Sequence, residues 1–404
     1  MADTRRALGA ILTPTVVTLG VVSLFTDVAA DMVTPYLGLF LTRELGAQTE
    51  VLGLLEGAAT TLSAVMKWVS GRLADRPGAR KPMVFFGYAL ANLARPLMGL
   101  ATAPGMVFTI RLIDRVGKGL RTTPRDTLLA LSVPPEDRAT AFGFHRAMDN
   151  LGAVIGPLVA VGVLSRWPGD LRRVFLAASI PGAVALLVLA LGVREAPASE
   201  AKATPEGPVE ARASRPPRVI YSRAFQEYLW LDAVFTLGDA SDTFVMLRAT
   251  DLGVPLTQLP LYWGALSLLR ALTTTPGGRL ADTIGRARAI QYGRAAYALA
   301  WLLFGLATRP WHLAPAIACY GVYYGLTEGT ERAMIASLSP KESLGRGFGR
   351  YHLVLGLLTL PASLLFGRLY RIDHGRTAFI AAAAMALIAS LGLSQWRRRH
   401  EPAG

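Results

Sequence analysis

The chain has 404 residues, of which 52% are hydrophobic and only 17% charged, against about 25% charged in an ordinary soluble domain. Its apolar residues come in long runs, which excludes a soluble globular reading, and its single cysteine excludes an intrachain disulfide. The formal net charge of +14 belongs with basic loops on the cytoplasmic side of a polytopic membrane protein; no nucleic-acid partner is expected.

In chain order, the first predicted span lies near 14–42 and carries Asp27 and Asp31, one turn apart on one face. Arg5 and Arg6 precede it without a convincing cleavage site after it, so it reads as a retained helix rather than a signal peptide. The second, near 49–71, carries Glu56; the third, near 82–102, carries Arg95 just after Asn92. The fourth, near 105–128, contains RLIDRVGKGLR at 111–121, and the fifth, near 138–164, contains FGFHRAMDN at 142–150 and GAVIGP at 152–157. A sixth lies near 172–193. The stretch 194–218 is rich in Ala, Pro, Glu and Arg and lacks an apolar face; it reads as a flexible linker. The predicted domains are therefore an N-terminal six-helix bundle (1–193), a cytoplasmic linker (194–223) and a C-terminal six-helix bundle (224–404). The second half repeats the scheme near 224–247, 256–278, 288–307, 311–335, 346–369 and 375–396. It carries Asp232, Asp239 and Asp242 on span seven, Arg270 on eight, Glu328 and Glu331 on ten and His352 on eleven.

The halves repeat in detail. GRLADRPGARK at 71–81 returns as GRLADTIGRAR at 278–288. Asp75 and Asp282 stand 207 positions apart, and Phe142-Gly143 and Phe348-Gly349 stand 206 apart. Duplicated membrane bundles suggest alternating access, with the substrate site between the halves. The basic residues of both cassettes and of the C-terminus fall on one side, so both termini are expected in the cytoplasm. Within the cassette, Gly71 and Gly278 either end a helix or let it pack closely. Asp75 and Asp282, flanked by Arg76, Arg80 and Arg286, can accept backbone N–H bonds or pair with a nearby arginine. Such a contact would latch neighbouring helices in one conformation and break in the other.

These features resemble the major facilitator superfamily of secondary transporters, in its bacterial drug and small-molecule exporter branch. The cassette matches that family's signature loop between helices two and three, and its second copy the equivalent loop. The resemblance implies an all-α polytopic membrane protein with twelve transmembrane helices in two pseudo-symmetric six-helix bundles. It implies a proton-coupling role for Arg111, although Arg115 stands where the family commonly has glycine. It also assigns Gly152, Gly156 and Pro157 to the family's antiporter motif, where two glycines offer close helix packing and the proline bends the helix.

Ionisable groups inside spans are costly and mark functional or paired sites. The expected proton-coupling or substrate residues are Asp27, Asp31, Glu56, Arg95, Arg111, His145, Asp149, Asp239, Arg270 and Glu328. Asp31, His145 and Asp149 form an alternative metal site. Phe235, Tyr262 and Tyr324 are expected cavity aromatics. No phosphate loop or dinucleotide fingerprint is present, so no enzyme activity and no cofactor are expected. The expected function is a proton-coupled antiporter in the bacterial cytoplasmic (inner) membrane that exports a small amphipathic or cationic compound, working as a monomer among membrane lipid. Divalent-metal efflux and transport of an organic anion or siderophore are the alternatives.

Overall fold

The structure, a computed structural model, describes residues 11–47, 49–76, 78–192, 220–239, 242–255 and 259–400. The predicted linker falls almost wholly outside them. The described residues form twelve helical passes and no strand. In the first half these are α1 (Pro14–Leu39), α2 (Thr49–Ala74), α3 (Arg80–Leu97), α4 (Pro104–Leu131), α5 (Arg138–Arg166) and α6 (Leu171–Ala177 with Ser179–Gly192). In the second they are α7 (Arg223–Gly238 with Asp242–Asp251), α8 (Leu259–Ile284), α9 (Arg286–Leu306), α10 (Leu313–Thr327 with Thr330–Leu338), α11 (Leu344–Tyr370) and α12 (Arg376–His400).

Local chemistry explains the helix starts. Pro14 and Pro104 occupy first-turn positions, where a missing N–H costs nothing. The Thr13 hydroxyl accepts from Val16 N at 3.3 Å and the Ser222 hydroxyl from Phe225 N at 3.2 Å, as N-caps do. The internal repeat is visible at this level. A short 3₁₀ turn at Pro135–Asp137 leads into α5, and another at Lys341–Ser343 leads into α11.

The cassette glycines act by close packing. Gly71 and Gly278 lie inside α2 and α8, which run on to Ala74 and Ile284. The glycines that turn the chain are Gly78 and Gly285, at φ +74° and +95°, conformations that only glycine adopts without strain. The eighth span is longer than predicted because nothing before Gly285 stops it.

By length and composition, six of the described helices are apolar enough to cross a membrane: α1, α3, α5, α6, α11 and α12. The others are more polar because their charges face one another inside the protein; α4 alone buries Arg111, Asp114, Arg121, Arg125 and Asp126. Outward, leucines such as Leu93, Leu158, Leu187 and Leu364 are exposed, a surface suited to lipid rather than water.

The apolar core has an informative division. At one end of the bundle a single cluster draws on both halves, with Tyr88, Leu129 and Phe142 beside Phe225, Ile290, Met334 and Phe348. At the other end each half keeps its own cluster: Val33, Phe40, Met98 and Phe175 in the first, Trp301, Phe304, Tyr320 and Phe379 in the second. The halves are fused at the end that carries the two cassettes, called here the cassette face, and separate at the opposite end.

Candidate functional site

The fusion is built from backbone outward. A methyl added at Gly71 would collide with the Gly345 carbonyl of α11, and one at Gly278 with the Ala139 carbonyl of α5. This approach brings each cassette aspartate to the start of a helix in the opposite half. Asp75 accepts from Gly345 N at 2.8 Å and Arg346 N at 3.3 Å, and pairs with Arg346 Nε at 2.7 Å. Asp282 accepts from Ala139 N at 3.2 Å, Thr140 N at 2.8 Å and Thr140 Oγ1 at 2.8 Å. Each carboxylate satisfies first-turn amides that a helix leaves unpaired and meets the positive end of its dipole. Burial at this interface pushes the Asp75 carboxyl up, although the Arg346 guanidinium and the two amides pull it down.

Deeper in the bundle a second set of contacts crosses between the halves. Asp126 of α4 pairs with Arg125 at 2.9 Å and meets His352 Nε2 of α11 at 3.2 Å, with Arg332 of α10 at 3.9 Å. Arg146 of α5 pairs with Asp149 at 2.7 Å and stands 3.6 Å from Glu328, to which Asn150 donates at 3.3 Å. These ties form a floor between the cassette face and a cavity of about 270 Å³ lined by α2, α4 and α11.

Other charged clusters stay within one half. In the first, Asp114 receives Arg95 at 3.2 Å, Arg111 at 3.5 Å and Arg115 at 3.6 Å, all inside the bundle. Arg95 also donates to the Thr26 carbonyl at 2.8 Å, locking α3 to α1. In the second, the fully buried Arg294 joins Asp232 and Glu331, and Arg270 holds Asp242 at 2.8 Å while stacking 3.7 Å over the Tyr324 ring. The break in α7 frees Asp239, which accepts from Tyr297 Oη at 3.0 Å.

The sequence-predicted residues therefore separate by role. Asp75, Asp282 and Arg286 lie at the latches, Arg286 reaching Asp282 at 3.1 Å and donating to the Pro135 carbonyl of the first half. Arg80 does not cross; from the start of α3 it donates to the Ala74 carbonyl at the end of α2 at 2.7 Å. Arg76 is exposed. Asp149 and Glu328 belong to the inter-half ties. Asp27 and Asp31 make no ion pair among the described residues, and α5 leans on α1 beside them: a Cβ on Gly152 would stand 2.9 Å from Asp27 Cβ, and one on Gly156 3.0 Å from Asp31 Cβ. Pro157 follows inside α5. Glu56 lies on α2, but its side chain is outside the described residues.

Two expectations are corrected. Asp31, His145 and Asp149 do not gather into a metal site. His145 Nδ1 approaches Asp149 at 3.7 Å, but Arg146 takes the same carboxylate oxygen, and no metal-binding group of three exists among the described residues. Phe235 is not a cavity wall: only 5% exposed, it packs edge-on to Tyr297 at 5.0 Å, under Arg294. Tyr262 and Tyr324 are half-buried beside the same aromatic cluster.

Sequence reading missed Lys67, Asp126, Arg294 and Arg332. The adjacent Arg125-Asp126 inside a span was a usable signal, since an isolated pair of opposite charges there is rarely accidental. Lys67 and Arg294 have no such local mark; their importance comes from helices far away in sequence.

Comparison with known proteins places this arrangement. The chain is 27% identical over 391 residues to an uncharacterized MFS-type transporter of Methanocaldococcus jannaschii, covering 94% of each chain. It is 23% identical to the multidrug resistance protein MdtH of Edwardsiella ictaluri, covering 90% of this chain and 87% of that one. Among solved structures, the human organic anion transporter MFSD10 superposes with a TM-score of 0.79 at 16% identity, covering 94% of this chain and 99% of that one. The sequence profile of the Major Facilitator Superfamily matches residues 19–247 and 243–404. With the duplicated halves, the twelve passes and the crossed aspartate latches already in place, the chain belongs to the Major Facilitator Superfamily, a family of integral membrane transporters and not of enzymes.

Proposed function

We propose that this chain is a proton-coupled secondary transporter that expels a small organic compound by alternating access. The observation that carries the reading is the reciprocal capping of α11 by Asp75 and of α5 by Asp282. Two carboxylates, one from each half, hold the opposite half through a few directional bonds at a single face. Such contacts are strong enough to define a state and few enough to release. Positive-inside orientation puts the Arg-rich cassettes and both termini in the cytoplasm of a bacterial inner membrane, so the conformation here is closed inward with its separated ends outward. A monomer holds both half-sites, so no second copy is required.

Proton coupling is supported by Asp27 and Asp31, carboxylates in a span without an ion-pair partner among the described residues. Export is supported by the close packing of Gly152 and Gly156 on α1 at Asp27 and Asp31 and by the multidrug resistance relative. The cationic cargo expected from acidic residues on the first, second and seventh spans has less support in the geometry. Asp149, Asp232, Asp242 and Glu328 are engaged by arginines, and the cavity between the halves has cations on its wall.

The test uses purified protein in liposomes containing a pH-sensitive dye. Addition of a transported compound is expected to move protons, and the movement should vanish in Asp31→Asn with Asp27→Asn. Full proton-coupled flux in that double variant would sink the assignment of the coupling site. Substrate movement with no proton movement at all would sink the coupling itself.

A further inference from the structure

The cavity between α2, α4 and α11 takes two of its helices from the first half and one from the second. Ser63 and Lys67 lie one turn apart on α2, Arg115 and Lys118 lie three apart on α4, and His352 enters from α11; all five line it. Spacings of three and four put each pair on one helix face. Among the described residues, no carboxylate lines the cavity. Among the described residues, none stands within ion-pair distance of Lys67 or Lys118, whereas Arg115 turns toward Asp114 at 3.6 Å and His352 toward Asp126 at 3.2 Å. Lys118 is exposed although it sits mid-way along a helix packed among others, so its ammonium opens into the cavity and not to lipid. Two ammonium groups without a carboxylate at ion-pair distance among the described residues are costly inside a membrane protein, and a negatively charged ligand between them would supply the direct contact they lack. Ala64 and Leu355 supply an apolar part of the same wall, and a volume of about 270 Å³ lies at the small end of ligand pockets.

We infer that this cavity is the binding site for a small organic anion, a carboxylate or phosphate carried on a short hydrocarbon body, with its charge between Lys67 and Lys118 and its apolar part against Ala64 and Leu355. The inference rests on the transport reading above in placing the site between halves that move. It also gives the cargo a route to the floor: His352 lines the cavity and reaches Asp126, whose other oxygen holds Arg125 and which Arg332 approaches from α10. An anion that accepts a hydrogen bond from His352 competes with Asp126 for that imidazole, so occupancy of the cavity is felt by a contact that joins the halves.

The experiment measures ligand-dependent shifts in the thermal unfolding of the purified full chain, with benzoate, succinate and phenyl phosphate as anionic probes and tetraphenylphosphonium as the cation. At least one anion is expected to raise the unfolding midpoint saturably. Lys67→Gln and Lys118→Gln should each weaken its half-saturation by about tenfold, as loss of a charge-assisted contact does. Lys118→Arg, which preserves the charge, should recover most of it and controls for general damage to the fold. Saturable response to the cation alone, unchanged anion binding in both Gln variants, or no response to any of the anions in protein that melts cooperatively overturns the inference. The two readings fail separately. Exchange of a cationic compound across liposomes without anion binding removes the cargo class and leaves the transporter, while anion binding without exchange of any bound anion removes the transport reading and leaves the site.

Discussion

The two cassettes perform one task with different side chains. In each, the aspartate caps a helix of the opposite half through backbone amides. The guanidinium that supports it differs in origin. At the first latch it belongs to the receiving helix, as Arg346 on α11; at the second it belongs to the cassette, as Arg286, while the receiving helix offers the Thr140 hydroxyl. Position 346 is the repeat-equivalent of 140, and in the cassette alignment Arg286 stands where the first copy has Ala79, so the charge has changed sides while the carboxylate–amide contact has not. The backbone contact is thus the shared element, and the arginine is an accessory that either surface can supply.

That comparison can be broken at several strengths, read by the reactivity of thiols introduced as Ala74→Cys or Ala139→Cys in a Cys319→Ser background. Both alanines are fully buried in the closed face. The largest effect is expected from Gly71→Ala or Gly278→Ala, because each methyl meets a carbonyl of the opposite half that cannot move aside. Overpacking costs about 1–3 kcal/mol, enough to expose the thiols and cut transport by tenfold or more. Asp75→Ala and Asp282→Ala come next, because alanine removes the acceptor that asparagine would keep. Each should cost about 1–2 kcal/mol of closure, the worth of a helix cap, and the two should be nearly equal. Unequal effects would mean that the guanidinium and not the shared amide contact dominates.

Smaller changes are expected from Arg346→Met and Arg286→Met, each under about 1 kcal/mol as for partly exposed ion pairs. Arg286 should matter more, since it also reaches Pro135 across the interface. Arg80→Met should leave thiol reactivity within about twofold of the parent, because that side chain only caps α2 within its own half. A large opening in Arg80→Met would overturn the distinction between the two arginines.

Much of this architecture was legible in the chain itself. Twelve passes, the duplication and the special place of Asp75 and Asp282 followed from apolar runs and a repeated cassette, signals that are local and strong. The roles of Gly71 and Gly278 were legible only as two alternatives, since a glycine near a helix end and a glycine at a backbone crossing look alike in sequence. The partners of charged residues were not legible. Arg95 and Arg111 stood out as intramembrane arginines, yet both are engaged with Asp114, a residue that attracts no notice inside RLIDRVGKGLR. Lys67 and His352 come within reach of one cavity from positions far apart in the chain. Such pairings depend on how the helices cross, which no spacing within one helix encodes.

The merged core at the cassette face has a consequence for how the molecule is assembled. Phe142 and Phe348, repeat-equivalents from opposite halves, meet with ring centroids 6.0 Å apart, so each half completes part of its hydrophobic interior with the other's side chains. At that end the halves behave as two subunits of a dimer joined in one polypeptide, and at the other as separate proteins. Synthesis of the first six passes therefore leaves Phe142, Leu129 and Tyr88 without their packing partners until the last helices arrive. The order in which the ribosome delivers the chain gives the N-terminal half an interval in which its interface side is bare, and the late helices α10 and α11 are what close it.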